Sequence, residues 1–159
     1  MDLILLRHGK AEDFHADGDS FRELAGRGRE QAHKAARLLK DSRWLPEIVL
    51  TSPLVRARQT ADEFCETASL PGAVIQGWLA CGMHPEGALR ELAGFSEFKR
   101  IAIVGHEPDL SRLIEWLLGT SGGGVDMKKG AIACLRINPP SRHGLLKFLI
   151  PPKLADETG

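Results

Sequence analysis

Arg7-His8-Gly9, Ser52-Pro53-Leu54-Val55-Arg56 and Gly105-His106-Glu107-Pro108 are clusters of polar and cationic side chains, each following a short apolar run. Arginine carries a planar fork of hydrogen-bond donors and keeps its charge at any working pH, so Arg7 and Arg56 together suit a phosphoryl dianion. Histidine adds a nucleophile. An imidazole attacks phosphorus only when neutral, and two nearby guanidiniums disfavour the cationic form of His8. Its second ring nitrogen then needs an acceptor that fixes one tautomer. The Gly9 carbonyl or a nearby backbone oxygen suits this, because glycine allows close backbone approach. The chemistry on offer is phosphoryl transfer to His8 followed by attack of water, helped by fixed positive charge and in-line placement.

These clusters can act together only if the fold brings them to one edge. Asp2–Arg7 reads as a buried parallel strand ending at the first cluster, Glu47–Thr51 as a second ending at Ser52, and Arg100–Val104 as a strong strand ending before His106. Between them, Arg29–Lys40 shows apolar residues at helical spacing, Pro53 opens a helix carrying Arg56–Ala68, and further helices fit Glu86–Ala93 and Asp109–Leu118. A weaker strand at Ala73–Gln76 completes the alternation. Ala131–Ile137 and Leu145–Ile150 suit a terminal hairpin, with Asn138–Gly144 as a turn-rich connector. Strand-helix alternation of this kind implies an α/β sandwich with a mostly parallel central sheet and helices on both faces, its site at the carboxyl ends of the strands.

Bulk composition narrows the partners. The 159 residues suit one domain, taken as 1–150 with a flexible tail over 151–159. With 21 Lys+Arg against 21 Asp+Glu, no global field points to nucleic acid or an anionic membrane. Leu3–Leu6 is too short for a signal or membrane segment, so a cytoplasmic address is expected. Cys65, Cys81 and Cys134 are odd in number and unpaired by motif, and read as reduced core thiols, not a disulfide framework or a zinc site. His15, His33 and His143 fit solvated positions. Gly122–Gly124 lacks the Gly-Lys-Ser/Thr of a phosphate loop and reads as a turn, and Lys128 and Lys129 as a solvated pair near the pocket.

Leu6-Arg-His-Gly9, Thr51-Ser-Pro-Leu-Val-Arg-Ala-Arg-Gln-Thr-Ala61 and Val104-Gly-His-Glu-Pro-Asp-Leu110, in that order, resemble the three signatures of the histidine phosphatase (phosphoglycerate mutase-like) superfamily. The short chain, Arg22-Glu-Leu-Ala-Gly-Arg-Gly28 and the His-Glu-Pro-Asp-Leu run resemble its SixA-type phosphohistidine phosphatase branch. The resemblance covers most of residues 1–137. It implies a phosphoglycerate mutase-like three-layer fold and a transient phosphohistidine on His8. Arg7, Arg56 and His106 would bind the phosphoryl group with the Gly9 backbone beside them, Arg22 would add a contact, and no metal or other cofactor would be needed. Arg58 does not match a phosphate-binding position. Lys10 and Ala11 depart from the Glu-Ser or Glu-Thr frequent in mutases, and Ala25 stands where many relatives carry Thr.

No firm motif marks a general acid; the nearest candidates are Glu86 and, less directly, His84. An imidazole departs more easily than an alkoxide, so a weak acid favours phosphohistidine as substrate, and a short chain leaves little room for a lid over a protein-borne phosphoryl group. A phosphotransfer protein is therefore the expected partner. The alternatives are a broad small-molecule phosphomonoesterase of the same superfamily and a non-catalytic phosphate-binding module.

Overall fold

Alternation along the first strand, β1 (Asp2–Arg7), decides the layers, because successive side chains leave a strand on opposite faces. Leu3 and Leu5 enter one core, Ile4 and Leu6 the other, all essentially without solvent contact. The computed structural model describes residues 1–155 and continues with α1 (Gly26–Asp41), β2 (Ile48–Thr51), α2 (Val55–Ala68), β3 (Val74–Ile75), α3 (Pro85–Ala93), β4 (Arg100–Gly105), α4 (Asp109–Leu118), β5 (Ile132–Asn138), β6 (Ser141–Ile150) and α5 (Pro152–Ala155). Short 3-10 turns occupy Asp19–Phe21 and Gly77–Leu79.

The six strands form one sheet in the order β3-β2-β4-β1-β5-β6. The first four positions are parallel, while β5 runs antiparallel to β1 and pairs with β6 as the terminal hairpin. Helices α1 and α2 pack their Ala35, Ala36, Leu39, Ala57, Ala61 and Phe64 on one face. On the other face α3 and α4 contribute Leu89, Leu92, Leu110, Leu113, Ile114 and Leu117. This is the expected α/β/α sandwich. Among the described residues no helix is long and apolar enough to cross a membrane.

Three boundaries differ from expectation for physical reasons. Helix α1 begins at Gly26 instead of Arg29, entered from an extended Ala25 whose methyl group caps nothing. The Asn138–Gly144 connector shrinks to Pro139 and Pro140, since Asn138 already faces Ser141 and the polar residues that follow lie on an edge strand open to solvent. The segment expected to be a flexible tail begins with the turn of α5, which packs against α1; residues 156–159 lie outside the described residues.

Register is what positions the clusters. Arg7 lies opposite Gly105 in the β1-β4 pair, and Thr51 opposite Val104 in the β4-β2 pair. Each strand therefore releases its next residue, His8, Ser52 or His106, at the same sheet edge. The His8 amide still donates to the Gly105 carbonyl (3.1 Å), and the Ser52 amide to Val104 (3.0 Å).

Candidate active site

His8 is 7% exposed, and its Nδ1 lies 2.8 Å from the Gly9 carbonyl oxygen. A carbonyl only accepts, so Nδ1 carries the proton and Nε2 keeps its lone pair. Arg56 Nε approaches that nitrogen at 3.4 Å. The bend that makes this possible needs glycine twice: a Cβ on Gly9 would meet the Gly28 carbonyl oxygen at 2.6 Å, and one on Gly28 would meet that of Lys10 at 2.2 Å. Thr60 ties the same loop to α2. Its hydroxyl donates to the Arg56 carbonyl (2.7 Å) and accepts from the Gly9 amide (3.1 Å).

The two guanidiniums arrive from different elements. Arg7, at the end of β1, donates to the Met127 carbonyl (2.9 Å) and leaves its Nε buried without a hydrogen-bond partner. Arg56, in the first turn of α2, is 4% exposed and is held from the far side by the 3-10 turn, donating to the Asp19 carbonyl (3.0 Å) and carboxylate (3.2 Å). Asp19 also pairs with Arg22 Nε at 2.9 Å, and Arg22 donates to the Glu12 carbonyl. His106 stands beside His8 with ring centroids 5.2 Å apart; its Nε2 is 2.7 Å from the Ser52 hydroxyl, and its Nδ1 is buried and unpartnered. Together with Ala11, Cys81, Glu107 and Lys129, the residues Arg7, His8, Arg22, Arg56 and His106 enclose a hollow of about 280 Å³.

Both imidazoles are held neutral. Burial above all, then the neighbouring His106, Arg56 and Arg7, lowers the His8 pKa to about 3 against the pull of the Gly9 carbonyl. Burial and Arg56 lower that of His106 to about 4. The guanidiniums act in the expected direction on His8, but exclusion of water is the larger cause. The resulting chamber is lined by an imidazole with an unprotonated ring nitrogen and by two guanidiniums held in place, a combination that suits an oxyanion.

A family profile described as histidine phosphatase superfamily (branch 1) matches residues 3–78. The solved structure of the protein histidine phosphatase SixA complexed with tungstate superposes with a TM-score of 0.89 at 25% identity, covering 97% of this chain and 99% of that one. The chain belongs to the histidine phosphatase superfamily. An uncharacterised protein of Picosynechococcus sp. is 33% identical over 147 residues, 86% of this chain and 85% of that one. Phosphohistidine phosphatase SixA of Escherichia coli is 34% identical over 84 residues, spanning 52% of each chain. Membership in the histidine phosphatase superfamily makes this chain a hydrolase of the phosphatase kind.

Within that family frame the structure brings together Arg7, His8, Gly9, Arg22, Arg56 and His106. Glu86 and His84 do not join them. Glu86 is exposed in the first turn of α3 and His84 is exposed at its N-cap, and neither lines the hollow. The first turn of α3 was the nearest acidic position in sequence, but the fold puts Glu107 on the wall instead. Arg58 is exposed on α2, as its mismatch implied. Cys65 and Cys134 are buried thiols, whereas Cys81 is exposed on the wall of the hollow, 3.9 Å from Arg56. His33 is half-buried and bonded to Glu63 (2.6 Å), not solvated. Ser52, Thr60 and Asp19 hold His106, the Gly9 amide and Arg56, roles beyond those expected from sequence. Ser52 and Thr60 sit inside the second signature, where a hydroxyl four residues after Arg56 was a readable helix-face pairing; nothing in the sequence linked Asp19 to Arg56.

Proposed function

We propose that the protein is a phosphohistidine phosphatase that acts on a phosphorylated histidine of a phosphotransfer protein, in the cytoplasm, without a metal. The carrying observation is the unprotonated Nε2 of His8, its opposite nitrogen pinned to the Gly9 carbonyl and its lone pair accepting a long hydrogen bond (3.4 Å) from Arg56 Nε. The similar SixA binds tungstate, a tetrahedral oxyanion, which agrees in shape with a phosphoryl site. Three free thiols suit a reducing compartment.

His8 Nε2 attacks phosphorus in line with the departing nitrogen. The substrate ring, protonated on its other nitrogen, takes the electron pair of the broken P–N bond and leaves as neutral histidine. This gives phosphohistidine on His8, with its Nδ1 proton still donated to the Gly9 carbonyl. Water then attacks the same phosphorus, inorganic phosphate leaves, and His8 regains its lone pair. Arg7 and Arg56 neutralise the equatorial oxygens through both loose transition states, and the bound dianion draws a proton onto His106 so that it donates. Glu107 takes no part as an acid. Both of its oxygens accept from Ser111, one from the amide (2.9 Å) and one from the hydroxyl, as a carboxylate does. With Glu107 so engaged and Glu86 outside, no carboxylic acid on the wall protonates an alkoxide leaving group, which favours phosphohistidine over alkyl phosphates.

The decisive comparison is kcat/KM on free phosphohistidine against an alkyl phosphate, with and without chelator. A preference for phosphohistidine, unchanged by EDTA, is expected, and a higher value on the alkyl ester overturns the substrate assignment. His8→Ala should abolish the acid-labile label trapped during turnover, and Arg56→Lys should lower kcat/KM by about 100-fold through loss of the fork. Turnover by His8→Ala at the wild-type rate would remove the covalent scheme.

A further inference from the structure

A second, larger cavity of about 640 Å³ adjoins the catalytic hollow, and Arg7 and Lys129 line both. Its wall draws cations from separate stretches of chain: Lys10 after β1, Arg27 and Lys34 two turns apart on α1, Lys128 and Lys129 before β5, and Lys153 on α5. Glu30 is the carboxylate among its lining residues. Among the described residues seven cationic side chains and one acid line it, a strong local segregation in a chain of zero formal charge. Lys10 and Lys128 reach Asp13 (3.7 Å) and Asp126 (3.1 Å), both largely exposed partners that a stronger anion can replace. The crowding registers on Lys129, whose pKa is lowered by burial and then by Lys10, Arg7 and Arg22.

The floor of this cavity is rigid. The Lys10 amide donates to Gln31 Oε1 (2.9 Å), and a Cβ on Gly130 would meet Gln31 Cβ at 2.7 Å, so the β1 exit, α1 and the β5 entry are packed backbone against side chain. Arg7 is held at its inner end by the Met127 carbonyl, whereas Lys128 on the rim keeps 67% of its side chain exposed. A discrete small polyanion calls for buried, forked donors at fixed positions. Spread ammonium groups over a wide mouth instead match the scattered carboxylates of a polypeptide, and they accelerate its encounter through long-range attraction.

We infer that this basic cavity docks acidic residues that flank the phosphorylated histidine of a protein substrate, guiding that side chain over Arg7 into the hollow. The inference rests on the phosphohistidine phosphatase reading above. It assigns Lys10, Arg27, Lys34, Lys128 and Lys153 to partner recognition, outside the bond-breaking machinery.

Two phosphohistidine peptides of equal length, one flanked by Glu and Asp and one by Ser and Gly, test it with the full chain. At about 0.01 M ionic strength the acidic peptide should have a kcat/KM at least about tenfold higher, and the advantage should vanish near 1 M, where charges are screened within about 3 Å. Arg27→Glu with Lys153→Glu should erase the advantage while free phosphohistidine turns over as in the wild type. Arg27→Ala with Lys153→Ala, expected to halve it or more, serves if the charge reversal does not fold. Equal kcat/KM for the two peptides overturns the inference. Fluorescence anisotropy with the unphosphorylated acidic peptide reads docking without catalysis. Binding that the double variant loses, with neither phosphopeptide hydrolysed, upholds the docking surface and rejects the phosphatase reading alone. No peptide binding, but tripolyphosphate binding that the double variant loses, makes the cavity a small-polyanion subsite and overturns the docking inference.

Discussion

Protonating His8 in the folded protein would place a cation in a water-poor chamber already holding Arg7 and Arg56, and His106 shares the penalty. The folded pKa values of about 3 and about 4 lie below the ordinary 6.5, so as pH falls through 6.5 the unfolded chain takes up protons that the folded chain refuses. Their contribution to stability is therefore complete above about pH 6.5 and is lost progressively towards pH 3 to 4. Urea midpoints measured between pH 7 and pH 4 should fall, and His106→Asn should fall less steeply. The same displacement keeps the nucleophile unprotonated, so the acid limb of kcat/KM should lie well below that of an ordinary imidazole. Thr60 offers a separate check. Thr60→Val preserves shape but strands the buried Gly9 amide, so it should cost about 1–3 kcal/mol in denaturant unfolding and lower kcat with it. The chemically conspicuous residues were readable in sequence because cation, nucleophile and glycine each have few other reasons to follow a strand. Asp19 was not, because an acid in a polar loop resembles any solvated acid until the fold lays it against Arg56.

At the level of elements, strand ends matter more than strand lengths. Expected strands and helices fall within a few residues of those observed because each carries a strong period: β1 alternates between two cores, and α4 puts Leu110, Leu113, Ile114 and Leu117 on one side. Misreadings cluster where local composition and tertiary setting disagree. Arg142, His143 and Gly144 have loop chemistry yet extend along an edge strand, and the start of α1 was obscured because Ala25 carries no capping group. That omission is correctable. Ala25 already has the extended backbone of an N-cap, so Ala25→Thr should stabilise the protein by about 1 kcal/mol, seen as a rise of about 2–4 °C in Tm. Activity should be unchanged.

For the whole molecule, the sheet insulates two cores from each other. Ile114 packs under α4 on one side, and Leu39 under α1 on the other, both fully buried. Ile114→Val should cost about 0.5–1.5 kcal/mol and Leu39→Ala about 2–5. Combined, they should add to within about 0.5 kcal/mol, measured as the shift in unfolding free energy. Strong coupling between them would mean the layers communicate through β1 and β4.

Sheet order has a consequence for the chain as it is made. Both β1 and β2 are made before β4, yet they do not pair with each other; β4, spanning Arg100–Gly105, is the slat that separates and joins them. Until it slides into place β1 and β2 have no strand between them, both keep bare hydrocarbon flanks, and His106 is missing from the site. A nascent polypeptide halted before residue 100 is thus catalytically silent and sticky, and competence arrives late and all at once.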